Sequence, residues 1–295
     1  INPVIAELTS KRYADYIGGI FQDARVKLHV QEGRNFAAGS KDRYDLITIT
    51  MIDSWAGAAA GAYMFSENSL YTYEAVRDYY EHLQDDGILS ISRYYPWDEA
   101  LRVVNTYLSY LTDLGIQEPR ENVLVVVEQP RLYRRATLLL RKGPFTPAEV
   151  AKVAGVAAAN GFTILYAPHP VPAAVVEHRG NARFYRQVVN APAAERRELL
   201  DGNRRHVAPS TDDSPFFFFM DRFQQAFSPD HSDHAARRLA MPILYFVFVL
   251  FAGLAILTVF LPLWLRRDLS IRKLPRRTST LLYFAGIGVG FMLIE

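Results

Sequence analysis

Four short stretches carry side chains able to do chemistry. Gln31-Glu32-Gly33-Arg34 follows residues 26–30 (VKLHV), whose apolar–polar alternation predicts a strand. A carboxylate at a strand's end, followed by Gly, can accept hydrogen bonds from a ligand while the backbone passes close by. The same four residues also suit an ordinary strand-to-helix turn with a surface Glu. Residues 44–52 (YDLITITMI) form a β-branched run fit for a buried strand. That strand delivers Asp53 and Ser54 to the loop beyond it. Asp53 can there serve as a polar catalytic group, or simply cap a helix or turn. Residues 66–72 (SENSLYT) lead into a helix, and the small-residue stretch 56–62 before them reads as a lid or a plain connector. Thr211-Asp212-Asp213-Ser214-Pro215-Phe216 offers an Asp pair to a cationic ligand, or a turn ahead of an aromatic packing strip.

The elements that must position these residues alternate between two periods. Helical spacing covers residues 3–21, 71–83, 99–114 and 147–160, with a short helix at 195–200. Strand patterns cover 26–30, 44–52, 88–92, 123–128, 136–141 and 162–166. Alternation of this kind predicts a mostly parallel sheet with helices on both faces and an antiparallel pair closing one edge. In such sheets ligands sit beyond the carboxyl ends of the strands. That rule directs attention to the residues after Val30, Ile52 and Ser92. The expected organisation is a core over 1–142, a smaller appendage over 143–222, a polar connector over 223–238 and an apolar segment over 239–295.

Composition narrows the classes. The chain has 295 residues, no Cys, and 33 basic against 31 acidic side chains. Zero Cys excludes a disulfide scaffold, Cys-ligated zinc and thiol catalysis. The balanced charge predicts no nucleic-acid footprint. Residues 239–265 hold 27 positions without a charge, and 278–294 hold 17. The first run has the length of a bilayer span, so an integral membrane protein is expected. The loop 266–277 between the runs carries a net +5, which the positive-inside rule places in the cytoplasm. The start at Ile1-Asn2-Pro3 and the unfinished apolar run predict an internal piece of a longer protein.

In their order, Glu32-Gly33, Tyr44-Asp45-Leu46-Ile47, the Asp53 loop, Leu70-Tyr71-Thr72 and Asp85-Asp86-Gly87-Ile88-Leu89 resemble the spermidine synthase (polyamine aminopropyltransferase) family. The Thr211–Phe216 motif ahead of the apolar runs is similar to the family's membrane-fused bacterial members. The resemblance implies a Rossmann-like methyltransferase fold followed by transmembrane helices, in a bacterial plasma membrane. It implies S-adenosylmethionine or its decarboxylated form as cofactor, a small-molecule amine or other acceptor, no metal, and leaves a homodimer open. It assigns Asp53 to catalysis, Glu32, Gly33 and Thr50 to the cofactor, and Ser54 and Tyr71 to the acceptor. Glu32 stands where the family has an adenine-contacting Asp. The family's Gly-rich loop and ribose-binding acid would fall before Ile1. Its strand ends in two aspartates three apart, whereas here the first position is Thr50. One carboxylate fewer weakens both diamine binding and base catalysis. Three functions therefore stand: aminopropyl transfer, S-adenosylmethionine-dependent methyl transfer, and a non-catalytic nucleoside-sensing domain regulating a membrane transporter-like part.

Overall fold

The computed structural model describes residues 2–52, 66–95, 98–128, 134–203, 205–220, 222, 245–258, 261, 278–279, 282–284 and 286–287. Asp53 and Ser54, the small-residue loop 56–62 and the basic loop 266–277 lie outside them. The chain divides into two units, Ile1–Ser228 and Pro229–Glu295.

The first unit is built on one sheet of five strands: β1 (Tyr44–Thr50), β2 (Leu83–Tyr95), β3 (Val123–Val127), β4 (Arg134–Arg141) and β5 (Thr163–Tyr166), in the order β1-β2-β4-β3-β5. Only β1 and β2 run parallel; the β2–β4, β4–β3 and β3–β5 pairs are antiparallel. The sheet is therefore mixed, which corrects the expected mostly parallel sheet. The reason is topological. The β3–β4 pair folds back so that β4, not β3, lies against β2. β5, from the stretch read as an appendage, is the fifth strand of this same sheet.

The helices are α1 (Pro3–Glu7), α2 (Gly33–Gly39), α3 (Tyr73–Glu81), α4 (Glu99–Asp113), α5 (Pro147–Ala159), α6 (Ala182–Asn190) and α7 (Ala193–Asp201). Strand alternation sorts them onto two faces. Val123, Val125 and Val127 of β3 pack with residues of α3, α4 and α6, while Leu124 packs with Val150 of α5. Local capping explains several helix starts. Asn2 accepts from the Val4 N–H at 2.9 Å, Thr72 from the Ala75 N–H at 3.2 Å, and Thr146 and Glu149 form a reciprocal capping box on α5.

Four local expectations change. The helix over 3–21 stops at Glu7, continues as a wide turn over Leu8–Arg12, and is broken at Gly18 and Gly19, both at positive φ. Residues 26–30 form no strand, and Val30 lines the cavity that the open edge of β1 also borders. β1 itself is an edge strand among the described residues, with Leu46 exposed, rather than a buried one. Asp85-Asp86-Gly87 does not end α3; it forms an irregularity within β2, where the register jumps from Tyr44↔Leu83 to Leu46↔Ile88. A Cβ on Gly87 would lie 2.8 Å from the Tyr44 carbonyl, so only glycine fits.

In the second unit residues 245–258 are helical. Among the described residues no helix is long and apolar enough to cross a membrane. Among the described residues this finding stands against the expected transmembrane helices and the integral-membrane location read from them.

Candidate functional site

β1 pairs with β2 along one edge and opens along the other onto a cavity of about 820 Å³. That volume lies within the range of small-ligand sites. β1 contributes Leu46, Ile47, Thr48 and Ile49; the approach to α2 contributes Val30, Glu32 and Gly33; α2 adds Phe36 and Ala37. Leu70 and Tyr79 complete the lining from the side of α3. The walls are mostly apolar, and the one carboxylate among the lining residues is Glu32.

Glu32 is held by the helix it starts. One carboxylate oxygen accepts from the Arg34 N–H at 3.1 Å and the other from the Asn35 N–H at 2.8 Å. This is an N-cap, favoured further by the positive end of the helix. Each carboxylate oxygen can accept a second hydrogen bond, so capping leaves Glu32 able to receive one from a ligand. The two readings made of Glu32 are thus compatible. Tyr79 lies beside it. Its hydroxyl donates to the Leu70 carbonyl at 3.3 Å, and burial, aided by the Glu32 charge, pushes its pKa up, so it keeps its proton.

At the carboxyl end of β1, Thr50 is exposed and pairs in register with Ser92 of β2; its hydroxyl lies 3.4 Å from that of Thr48. Met51 follows at φ 47°, the left-handed region that L side chains rarely occupy. This backbone conformation turns the chain sharply as it leaves the strand toward Ile52, which also lines the cavity.

Behind Glu32, Arg34 ties three distant parts of the chain together. Its Nε donates to Asp78 at 2.8 Å, and its two terminal nitrogens donate to the two Asp212 oxygens at 2.6 and 2.7 Å. Asp212 also accepts from the Thr72 hydroxyl at 2.7 Å. The two-pronged contact suits the planar guanidinium. It holds the Asp212 carboxyl below the usual carboxylate range, against a smaller opposing effect of burial. Asp212 is thus occupied by an internal cation.

A second buried network underlies the aromatic strip. Arg93 of β2 donates to Glu99 at 2.9 and 3.1 Å and to the Tyr71 hydroxyl at 2.8 Å. Its guanidinium lies over the rings of Tyr71, Phe217 and Phe218 at 4.8 to 5.6 Å. Arg102 of α4, also buried, donates to the carbonyls of Ala208, Phe216, Phe217 and Phe219. Burial pulls its pKa down to about 10. These contacts fasten the 208–219 segment onto α4.

Of the residues expected from the sequence, Glu32 and Gly33 line the cavity. Thr50 stands at the end of the strand that borders it. Tyr71 is buried, engaged with Arg93 and outside the cavity lining. Asp53 and Ser54 lie outside the described residues. Sequence reasoning missed Tyr79, Phe36 and the linking role of Arg34. For Arg34 a signal existed: an unassigned cation in one chemistry-bearing motif and an unassigned Asp pair in another.

No family model matches the chain. A stretch of 79 residues is 35% identical to a polyamine aminopropyltransferase of Lachnoclostridium phytofermentans, covering 27% of this chain and 25% of that protein. The chain therefore spans about a quarter of the length of the curated relative it matches.

Proposed function

We propose that the Ile1–Ser228 unit holds the nucleoside of an S-adenosyl cofactor and serves a transferase related to the aminopropyltransferases. The observation that carries this reading is the cavity along β1, with Glu32 fixed at its border by two backbone N–H groups. The partial identity to a polyamine aminopropyltransferase supports the same class. The residues suit the group: apolar Val30, Phe36 and Ile49 for a base and ribose carbons, and a carboxylate with spare acceptor capacity for an amino or hydroxyl hydrogen. Decarboxylated S-adenosylmethionine is the donor proposed for aminopropyl transfer. When bound, an S-adenosyl group supplies an electrophilic carbon whose bond to sulfur breaks as an acceptor nitrogen bonds to it.

In this reading Glu32 orients the nucleoside, Phe36 and Ile49 shield it from water, and Asp53 takes the proton the acceptor amine must lose. Ser54 is assigned to the acceptor in the same reading. Thr50 favours a second reading, methyl transfer. It places an exposed, neutral hydroxyl where a diamine would need a carboxylate, and methyl transfer does not need that second charge.

Calorimetric titration of the chain with methylthioadenosine, S-adenosylmethionine and its decarboxylated form tests the proposal. Binding of methylthioadenosine is expected, weakened about five- to a hundredfold by Glu32→Ala, the usual effect of losing a charged hydrogen-bond partner. Preference for the decarboxylated form supports aminopropyl transfer, and preference for the methyl donor supports the second reading. Absence of binding by all three ligands would overturn the proposal.

A further inference from the structure

A second cavity, of about 290 Å³, lies between α4, α7 and the 206–209 segment, away from β1. Its lining includes Arg196, Arg197 and Arg222. Arg196 is only 4% exposed, yet among the described residues its side chain makes a single, long hydrogen bond, 3.4 Å from Nη2 to the Thr112 hydroxyl. Arg222 reaches the Leu200 carbonyl at 3.3 Å through Nη2, while its buried Nε has no partner. Asp113 and Asp201 also border the cavity. Among the described residues neither forms an ion pair with the three arginines, and Asp113 instead accepts from the Tyr73 hydroxyl at 2.6 Å.

A buried guanidinium without a counter-charge is costly. The fold retains one here, beside a second whose Nε–H is unspent. Burial pulls the Arg196 pKa down. α7 begins at this cavity with Ala193, and no side chain caps its first N–H groups, so the positive end of the helix adds to the field. Guanidinium groups match the geometry of tetrahedral oxyanions, to which they donate in pairs.

We propose that this cavity binds a small phosphate-type oxyanion between Arg196, Arg197 and Arg222. Its volume admits inorganic phosphate or a small phosphomonoester. Either anion would supply the missing counter-charge. The site is independent of the nucleoside cavity, and its occupancy would fasten α7 to α4.

The test is calorimetric titration of the chain with inorganic phosphate and, separately, with glycerol 3-phosphate, at constant ionic strength in chloride. Saturable binding is expected, with affinity falling at least tenfold in Arg196→Met and in Arg222→Gln. A matching loss of the phosphate-induced rise in Tm is expected in both variants. Tighter binding of the monoester identifies a phosphorylated metabolite; tighter binding of phosphate identifies the free anion. Arg197 is exposed, so Arg197→Gln leaves folding intact and should still weaken binding several-fold. This variant decides the matter if the buried Arg196→Met does not fold. Absence of saturable binding by the wild-type chain overturns the proposal. So does an affinity that is the same in wild type and every folded variant.

Discussion

The contact between Arg34 and Asp212 joins residues 178 apart in sequence, and its removal has a calculable effect. Asp212→Ala deletes two bonds from the guanidinium and one from the Thr72 hydroxyl. A hydrogen bond to a charged group contributes about 1.5–3 kcal/mol where water is excluded. Two features reduce that sum. Arg34 keeps Asp78 as a counter-charge at 2.8 Å, so no cation is stranded. The Asp212 side chain is 42% exposed, so solvent screens its share. The expected loss is therefore about 2 kcal/mol, well below the sum of the parts. Urea unfolding followed by far-UV circular dichroism measures it. A double-mutant cycle with Arg34→Met isolates the pair, for which about 1–2 kcal/mol of coupling is expected. The pH dependence has a definite sign. The folded-state pKa of Asp212 is depressed, chiefly by Arg34. Its stabilisation is thus complete above the unfolded value of about 3.8 and is lost as pH falls through the lower folded value. Wild type should lose this increment on acidification, and Asp212→Ala should not. Coupling below about 0.5 kcal/mol, the level of an ordinary surface pair, would refute the view that this contact holds the Thr211–Phe216 motif against α2.

Other perturbations probe the remaining structure. Gly87→Ala should destabilise the fold by about 1–3 kcal/mol, the usual penalty of overpacking, because its Cβ would meet the Tyr44 carbonyl at 2.8 Å; an unchanged urea midpoint would contradict the register jump in β2. Arg102→Met should cost about 3 kcal/mol or more by leaving buried carbonyls unpaired, and hydrogen exchange should show residues 208–219 losing protection; protection equal to wild type would show that Arg102 does not fasten that segment. Glu32→Asp should retain the N-cap and the stability of α2 while Glu32→Ala loses about 1 kcal/mol; equal nucleoside affinity in wild type and both variants would reduce Glu32 to a cap alone. Thr50→Asp, which restores a carboxylate at the end of β1, should raise kcat/KM for decarboxylated S-adenosylmethionine with putrescine about tenfold or more; no gain would show that the missing charge does not limit this chain.

Periodicity in the sequence determined the elements with strong local signals. The helical spacing over 147–160 and 99–114 and the Val-rich β3 follow from periodicity, and the structure places them within a residue or two. The order of the motifs likewise singled out Glu32-Gly33, which line the cavity. Pairing partners were not legible, because a strand's period describes its faces and not its neighbours. Hence residues 26–30 alternate like a strand without joining the sheet, and β4 rather than β3 lies against β2. A run of uncharged residues likewise predicted a spanning helix, whereas among the described residues no helix is long and apolar enough to cross a membrane. The largest gap concerned the charged residues. Asp212 reads as a free anion and Tyr71 as a ligand contact until the fold brings Arg34 and Arg93 to them from far along the chain. Desolvation makes such pairing obligatory, but only tertiary structure decides which cation meets which anion, and so which polar groups are left over for a ligand.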